Sequence, residues 1–215
     1  MRPRRVALLT LVAMVAFAGN SLLTRAALRG SGIDAASFTA IRIVSGAVAL
    51  WLIVRLGSRP ASARAAGTWG SSLALFAYAA AFSLAYLSLT AATGALLLFG
   101  AVQVTMITAG LVGGEQLTAA QALGLALAFA GLVGMLLPGL SAPPMGGALL
   151  MVLSGVAWGV YSLRGRTAVA GGSDPTVVTA GNFILAVPMA LGLVGVAWGL
   201  TAGLDVDVAG VLLAV

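Results

Sequence analysis

Apolar runs of nearly equal length, separated by short connectors, constrain this chain more than any other feature of its sequence. A helix needs about 20 mostly apolar residues to cross the hydrocarbon core of a bilayer. The connectors carry the glycines, prolines and charges that interrupt helices. The runs predict spans at 6–28, 35–56, 69–90, 93–112, 117–137, 145–163 and 176–199, with an eighth beginning near Val208. We therefore predict an all-α integral membrane protein, a bundle of spanning helices.

The composition excludes most enzyme chemistry. Hydrophobic residues make up 61% of the chain and charged residues 7%, against about 25% charged in a typical soluble domain. Cys, His and Lys are absent, so thiol and imidazole metal sites, a cysteine nucleophile and a Ser-His-Asp triad all lack their residues. We expect no metal, no cofactor and no enzymatic activity. A membrane-embedded enzyme would have to rely on Arg, Tyr and Asn alone.

The arginines set the predicted orientation. A net charge of +6 would suggest nucleic-acid binding in a soluble protein, but here most arginines lie between apolar runs, as the positive-inside rule describes. With the N-terminus inside, the outer side receives only Arg25 and Arg29, and the cytoplasmic side receives Arg2, Arg4, Arg5, Arg55, Arg59, Arg64, Arg164 and Arg166. We predict a multi-pass protein of the cytoplasmic membrane, with a cytoplasmic N-terminus, membrane lipids around it and no nucleic-acid partner.

The N-terminus also has the basic start and apolar core of a signal peptide. Its apolar run continues to about Leu28, however, which is long enough to span, and further spans follow. We therefore interpret it as the first membrane helix.

Two parts of the chain are similar to each other. Ala7–Arg25 aligns with Ala148–Arg166, and after a one-residue shift Asp34–Arg42 aligns with Asp174–Asn182. The matches include Ser, Arg, Asp and Thr, which argues against the chance similarity of two Ala- and Leu-rich helices. Because an odd number of predicted spans separates the copies, the second is inverted in the membrane. Inverted repeats around a midplane site are typical of secondary transporters.

The repeat predicts two units. Residues 6–137 form a first five-helix repeat, and residues 145–215 form an incomplete second repeat of inverted topology. About 7–8 of an expected 10 spans are then present. We expect the sequence to be a fragment of a ten-span protein.

Four motifs occur in order along the chain: "FAGNSLLTRAAL", "FTAIRIVSGAVAL", "GGEQLTAAQALGLALAFAGL" and "GVAWGVYSLRGR". In this order and spacing they resemble the EamA-type carriers of the drug/metabolite transporter superfamily, over nearly the whole chain. The resemblance implies two inverted five-helix repeats and secondary transport. Two positions depart from the family pattern: Ala18 replaces the usual glycine after an aromatic residue, and Gln103 lies where span four often has a proline. Substrate choice is therefore not carried over.

Arg42 is a charge inside an apolar run. It lies eight residues into the second predicted span, roughly 10 Å deep at 1.5 Å per residue. An isolated charge at such a depth costs about 2.5–3.5 kcal/mol on insertion scales, so Arg42 is predicted to face the bundle interior. Two interpretations stay open. Its guanidinium either binds a carboxylate or phosphate of the substrate, or it snorkels or tethers helices.

The repeat adds further candidates for a substrate-lining surface. Asn182 is the repeat mate of Arg42, and Asn20 is the mate of Tyr161. Each lies on a polar stretch of its span, so together they suggest a pseudo-symmetric wall. Asn side chains in membranes also bond neighbouring helices, and this structural alternative stays open for Asn182.

Aromatic and amide residues complete the candidate set. Tyr78 begins a helical face with aromatic residues four positions apart, Gln103 is central in the fourth span, and Trp158 either closes the cavity or packs. The predicted substrate-binding residues are Arg42, Gln103, Asn182, Asn20, Tyr78, Tyr161 and Trp158.

These features favour a secondary transporter that moves small polar organic metabolites by alternating access. The resemblance points to export of amino acids or related metabolites. Two alternatives remain: a carrier for drugs or toxic compounds, and a non-transporting membrane sensor or assembly subunit. The expected partner is a small-molecule substrate, and a homodimer is an open alternative to a single copy.

Overall fold

The protein is helical. A computed structural model describes residues 3–57, 66–136 and 143–200. These ranges hold seven helices and no strand: α1 (Pro3–Gly30), α2 (Ala35–Leu56), α3 (Trp69–Tyr86), α4 (Ala91–Val112), α5 (Ala119–Leu136), α6 (Met145–Ala170) and α7 (Pro175–Leu200). The all-α prediction is confirmed for this part of the chain. The predicted eighth span, near Val208, lies outside the described residues.

Five of these helices are long and apolar enough to cross a membrane: α1, α2, α4, α6 and α7. The other two, α3 and α5, have 18 residues each, close to the lower limit of about 17 residues for a spanning helix. Lengths and composition thus fit a helical membrane protein.

Two helix starts share one local geometry. The Asp34 carboxylate accepts hydrogen bonds from the backbone N–H groups two and three residues further on, at 2.8 and 3.0 Å, at the start of α2. Asp174 does the same for α7, at 2.8 and 3.2 Å. The glycine two residues before each aspartate has a positive φ, 71° at Gly32 and 86° at Gly172, which glycine adopts without steric cost. The α1–α2 and α6–α7 connectors therefore turn in the same way.

Two predicted helix ends are wrong by several residues. The sixth span was predicted to end at 163, but α6 continues to Ala170. The segment after Arg164 contains Gly165 but no proline, and one glycine inside a helix costs only about 1 kcal/mol. The helix ends before Gly171 and Gly172, and glycine just past a helix commonly ends it. The third span was predicted to reach 90, but α3 ends at Tyr86, because Thr90 already caps α4 through its side-chain oxygen.

The buried core lies where α3 packs along α6 and α2 packs along α7. Phe38 of α2 and Phe82 of α3 are 1% and 0% exposed, respectively. Small residues let the helices approach closely: a Cβ atom added to Gly155 of α6 would lie 2.5 Å from the carbonyl oxygen of Leu98 on α4. In contrast, α1 is exposed along residues 5–18. This apolar surface is suited to contact with lipid.

Candidate functional site

A cavity of about 400 Å³ lies among α1, α2, α3 and α7. We call it the Arg42 cavity. Its wall is formed by Asn20, Leu23, Thr24, Phe38, Arg42, Ile43, Ser45, Gly46, Ala49, Leu75, Tyr78, Ala79 and Phe183. A volume of about 300–1,000 Å³ is typical of small-molecule sites, as is a mostly apolar wall with a few convergent polar groups.

The Arg42 guanidinium is held on one edge and on its faces. Its Nη2 donates a hydrogen bond to Oδ1 of Asn20 at 2.7 Å. The Cζ atom lies 5.5 Å from the ring centre of Phe38 and 5.4 Å from that of Phe82, within the range of cation–π attraction. The Nη1 atom is buried and has no hydrogen-bond partner. The orientation of the guanidinium is therefore fixed at Nη2, and its bond to Asn20 uses only part of its donors.

Arg42 has no counter-charge among the described residues. The chain has five acidic residues. Asp34 and Asp174 cap helices, Glu115 lies in the turn after α4 beside Gly110, and the other two, at 205 and 207, lie outside the described residues. A charge that is withdrawn from water without a partner is costly. An anionic group that enters the cavity can therefore pair with the charge of Arg42.

Three predicted aromatic residues are in contact with one another, one in the wall of the Arg42 cavity and two behind it. Tyr78 lines the cavity, and its ring centre lies 4.6 Å from that of Trp158 on α6. Trp158 contacts Tyr161 at 5.5 Å. Trp158 also lines a much smaller neighbouring cavity with Asn20. The structure therefore places Trp158 one layer behind the Arg42 cavity and Tyr161 one layer further.

Asn182 does not join Arg42, although the two are repeat mates. Its side chain is 2% exposed, and its Oδ1 accepts a hydrogen bond from the backbone N–H of Thr68 at 3.0 Å. Thr68 caps α3 and also bonds Ser71, whose hydroxyl accepts a bond from Nε of Arg164 at 3.0 Å. These contacts tie the start of α3 to α6 and α7. We assign Asn182 to this helix junction and not to the cavity wall.

We expect Asn182→Ala to destabilise the protein without changing binding in the Arg42 cavity. The substitution removes the acceptor of the Thr68 N–H at a helix start. Because Thr68 is exposed and water can replace this acceptor, we expect a loss of about 0.5–1.5 kcal/mol, the net contribution of a typical hydrogen bond. Thermal unfolding in detergent, followed by tryptophan fluorescence, measures the loss. Loss of ligand binding at full thermal stability would contradict this assignment.

Gln103 also lies away from Arg42. Its side chain is exposed and lines an apolar groove of about 620 Å³ between α4 and α5. The groove wall is otherwise made of small and apolar residues, among them Phe99, Val104 and Leu125. The predicted set is thus divided among the Arg42 cavity, the layer behind it, the α3 junction and this groove.

Several lining residues were absent from the predicted set. Thr24 lies four residues after Asn20 and Ser45 three residues after Arg42, so each shares a helix face with a predicted residue. Helical spacing alone could have found both. Phe183, in contrast, reaches the cavity across α2: a Cβ atom added to Gly46 would lie 2.6 Å from its ring. No local pattern indicates this contact.

Comparison with known proteins identifies a relative, PA1977 of Pseudomonas aeruginosa, which is described as an uncharacterized protein. It is 59% identical over 190 residues, which are 88% of this chain and 64% of that protein. No protein-family model matches the chain. The chain therefore spans 64% of the length of this bacterial relative.

Proposed function

We propose that this protein is a secondary transporter of the EamA type, which moves small polar organic metabolites across the cytoplasmic membrane by alternating access. Export of amino acids or related metabolites is the leading form of the proposal. The observation that carries it is the half-buried guanidinium of Arg42, which has no counter-charge within the described ranges of the chain. It lies in a cavity of about 400 Å³ between helices that include three long enough to span a membrane.

The local likeness of α1–α2 and α6–α7 supports the repeat on which this proposal depends. Asp34 and Asp174 cap their helices through the same oxygen, and Gly32 and Gly172 turn the connectors. The hydroxyls of Thr39 and Thr179 each donate to the carbonyl four residues earlier, both at 2.7 Å. With five helices from the first copy to the second, the copies have opposite directions in the membrane, as alternating access between inverted repeats requires.

Efflux from cells tests the proposal. Cells that express the full chain are preloaded with labelled amino acids and related metabolites, and release is compared with vector-only cells. We expect release of a restricted group of compounds above the control. The proposal is contradicted if the inserted protein releases none of the panel.

A drug-efflux function is the second candidate, because the α4–α5 groove is large and almost wholly apolar. Binding of an apolar compound there would not need Arg42. Gln103→Trp fills the groove and separates the two functions: it should abolish drug efflux if the groove is the site, and should leave metabolite efflux unchanged if the Arg42 cavity is the site. The measurement is resistance to a panel of apolar toxic compounds beside metabolite release.

A further inference from the structure

We propose that the Arg42 cavity selects organic monoanions with a small apolar end, in preference to zwitterions and neutral compounds of the same shape. The ligand's carboxylate lies beside the Arg42 guanidinium, and its apolar end lies against the apolar part of the wall. This inference rests on the proposed function and narrows it, because within the proposed class of amino acids and related metabolites it favours the related carboxylic acids, with one net negative charge, over the zwitterionic amino acids themselves.

Charge balance is the first step of the argument. Among the described residues, the cavity wall contains one cation and no carboxylate. A bound monoanion neutralises the charge of the guanidinium and compensates for the hydration that the guanidinium loses through partial burial. A zwitterion brings the same carboxylate but also an ammonium group, which is repelled by Arg42 and finds no acidic partner on this wall. The wall therefore favours one negative charge.

Guanidinium geometry is the second step. Asn20 fixes Nη2 at 2.7 Å, while Phe38 and Phe82 lie against the guanidinium within 5.5 Å. The group is thus held in one orientation before a ligand arrives, so binding loses little side-chain entropy. The bond to Asn20 uses only part of the guanidinium's N–H donors. A carboxylate in the cavity that accepts from an accessible donor forms a charge-assisted hydrogen bond, which is stronger than a bond to a neutral acceptor.

The remaining wall determines the other end of the ligand. Ile43, Leu75 and Ala79 are buried apolar residues of the wall, and Phe183 lies over Gly46 at its α7 side. A charged end would lose its hydration against these side chains, and the polar groups of the wall other than Arg42 are neutral. An alkyl or aromatic group, in contrast, gains from contact with these side chains.

Three probes with one carbon skeleton test the inference directly. They are 3-phenylpropionate, its neutral amide 3-phenylpropanamide, and phenylalanine, which adds only the ammonium group. Binding to the purified full chain in detergent is measured by isothermal titration calorimetry at neutral pH. We expect the monoanion to bind about 10- to 100-fold more tightly than the amide, as a hydrogen bond to a charged group allows. We expect phenylalanine to bind at least about tenfold more weakly than the monoanion.

Variants locate the preference. Arg42→Gln should reduce affinity for the monoanion to that for the amide, and Arg42→Lys should keep part of the preference, because it retains the charge without the planar donors. Tighter binding of phenylalanine than of 3-phenylpropionate overturns the inference, as does equal binding of acid and amide or absence of binding by all three. The wild-type comparison gives this answer even if a variant fails to fold.

The same protein in liposomes separates this inference from the carrier proposal. Monoanion-selective binding without flux of any bound probe supports the ligand class and counts against transport. Flux of zwitterionic amino acids that persists in Arg42→Gln supports transport and overturns the monoanion preference.

Discussion

Substitution of Arg42 by Gln will abolish substrate efflux while the protein remains folded and inserted in the membrane. Gln keeps the unbranched stem and a neutral amide but ends two bonds short of Nη2, which now donates to Asn20 at 2.7 Å. It removes the charge, the planar donors and that hydrogen bond. Loss of one partner of a buried charge pair typically costs about 2–5 kcal/mol, which is at least about 30-fold in affinity. At substrate concentrations near the dissociation constant, such a loss leaves almost no flux.

Arg55→Gln is the matched control, because both arginines belong to α2. Arg55 is exposed near the end of that helix, with its Cζ atom 5.2 Å from the ring centre of Trp51. Its removal changes the charge of the protein equally without touching the cavity. We expect the Arg55 variant to retain full efflux and Arg42→Lys to retain a reduced rate. Release is measured at equal membrane abundance, determined by immunoblotting.

Two results would contradict the assigned role of Arg42. Full efflux by Arg42→Gln would leave Arg42 as a helix tether, which was the alternative given by the sequence. Equal loss of efflux in the Arg55 variant would indicate a general effect of charge or orientation. Since Arg55 belongs to the arginine-rich segment that the sequence predicts on the cytoplasmic side, the second result would call for topology mapping of both variants.

The helices were largely predictable because membrane insertion makes span length a local property of the sequence. The second predicted span, 35–56, coincides with α2, since Asp34 is both the last residue of a turn and the cap of the helix. The ends of α6 and α3 were not predictable in the same way. Arg164 was assigned to a connector because it is charged. In the structure its backbone is part of α6, and its side chain donates a hydrogen bond to Ser71 of α3.

The site was predictable in part, for a physical reason. Arg42 was chosen as a costly charge within an apolar run, and Asn20 as a repeat mate on a polar stretch. The cost of unpaired polar groups in such runs brings them together, and the structure shows the two residues bonded. Asn182 is also a polar group that needs a partner, but its partner lies at the start of α3, away from the Arg42 cavity. The first N–H groups of α3 have no intrahelical acceptor, and Asn182 supplies one to Thr68. A polar residue within a span indicates that a partner exists, but not whether the partner is a ligand or a helix end.

The junction of α3 and α7 will be the position most sensitive to a single methyl group. Gly67, just before α3, lies against the backbone of α7. A Cβ atom there would lie 2.6 Å from the carbonyl oxygen of Gly181 and 2.8 Å from the backbone nitrogen of Asn182. Both contacts are with backbone atoms in the interior of a helix, which cannot rotate away as a side chain can. Gly67→Ala must therefore separate α3 from α7 or move the α3 start.

We expect this separation to cost about 3 kcal/mol, the upper part of the usual range for overpacking. For a chain of this size, that is a fall in melting temperature of roughly 6–12 °C. The movement also lengthens the hydrogen bond from Thr68 to Asn182, now 3.0 Å. Combining Gly67→Ala with Asn182→Ala should therefore cost less than the sum of the two single changes, because both damage one junction. Thermal unfolding followed by tryptophan fluorescence measures all three variants; a thiol-reactive dye is unsuitable, since the chain has no cysteine.

Gly192→Ala supplies the control on α7, because a Cβ atom there would meet nothing within 4 Å beyond its own neighbours along the helix. In an open helical position, alanine is favoured over glycine by about 1 kcal/mol, so this variant should melt at or slightly above the wild-type temperature. A wild-type melting temperature for Gly67→Ala would mean that α3 and α7 separate at little cost. That result would indicate that the α3–α7 contact can move. This contact would then be the first place to look for the motion of alternating access.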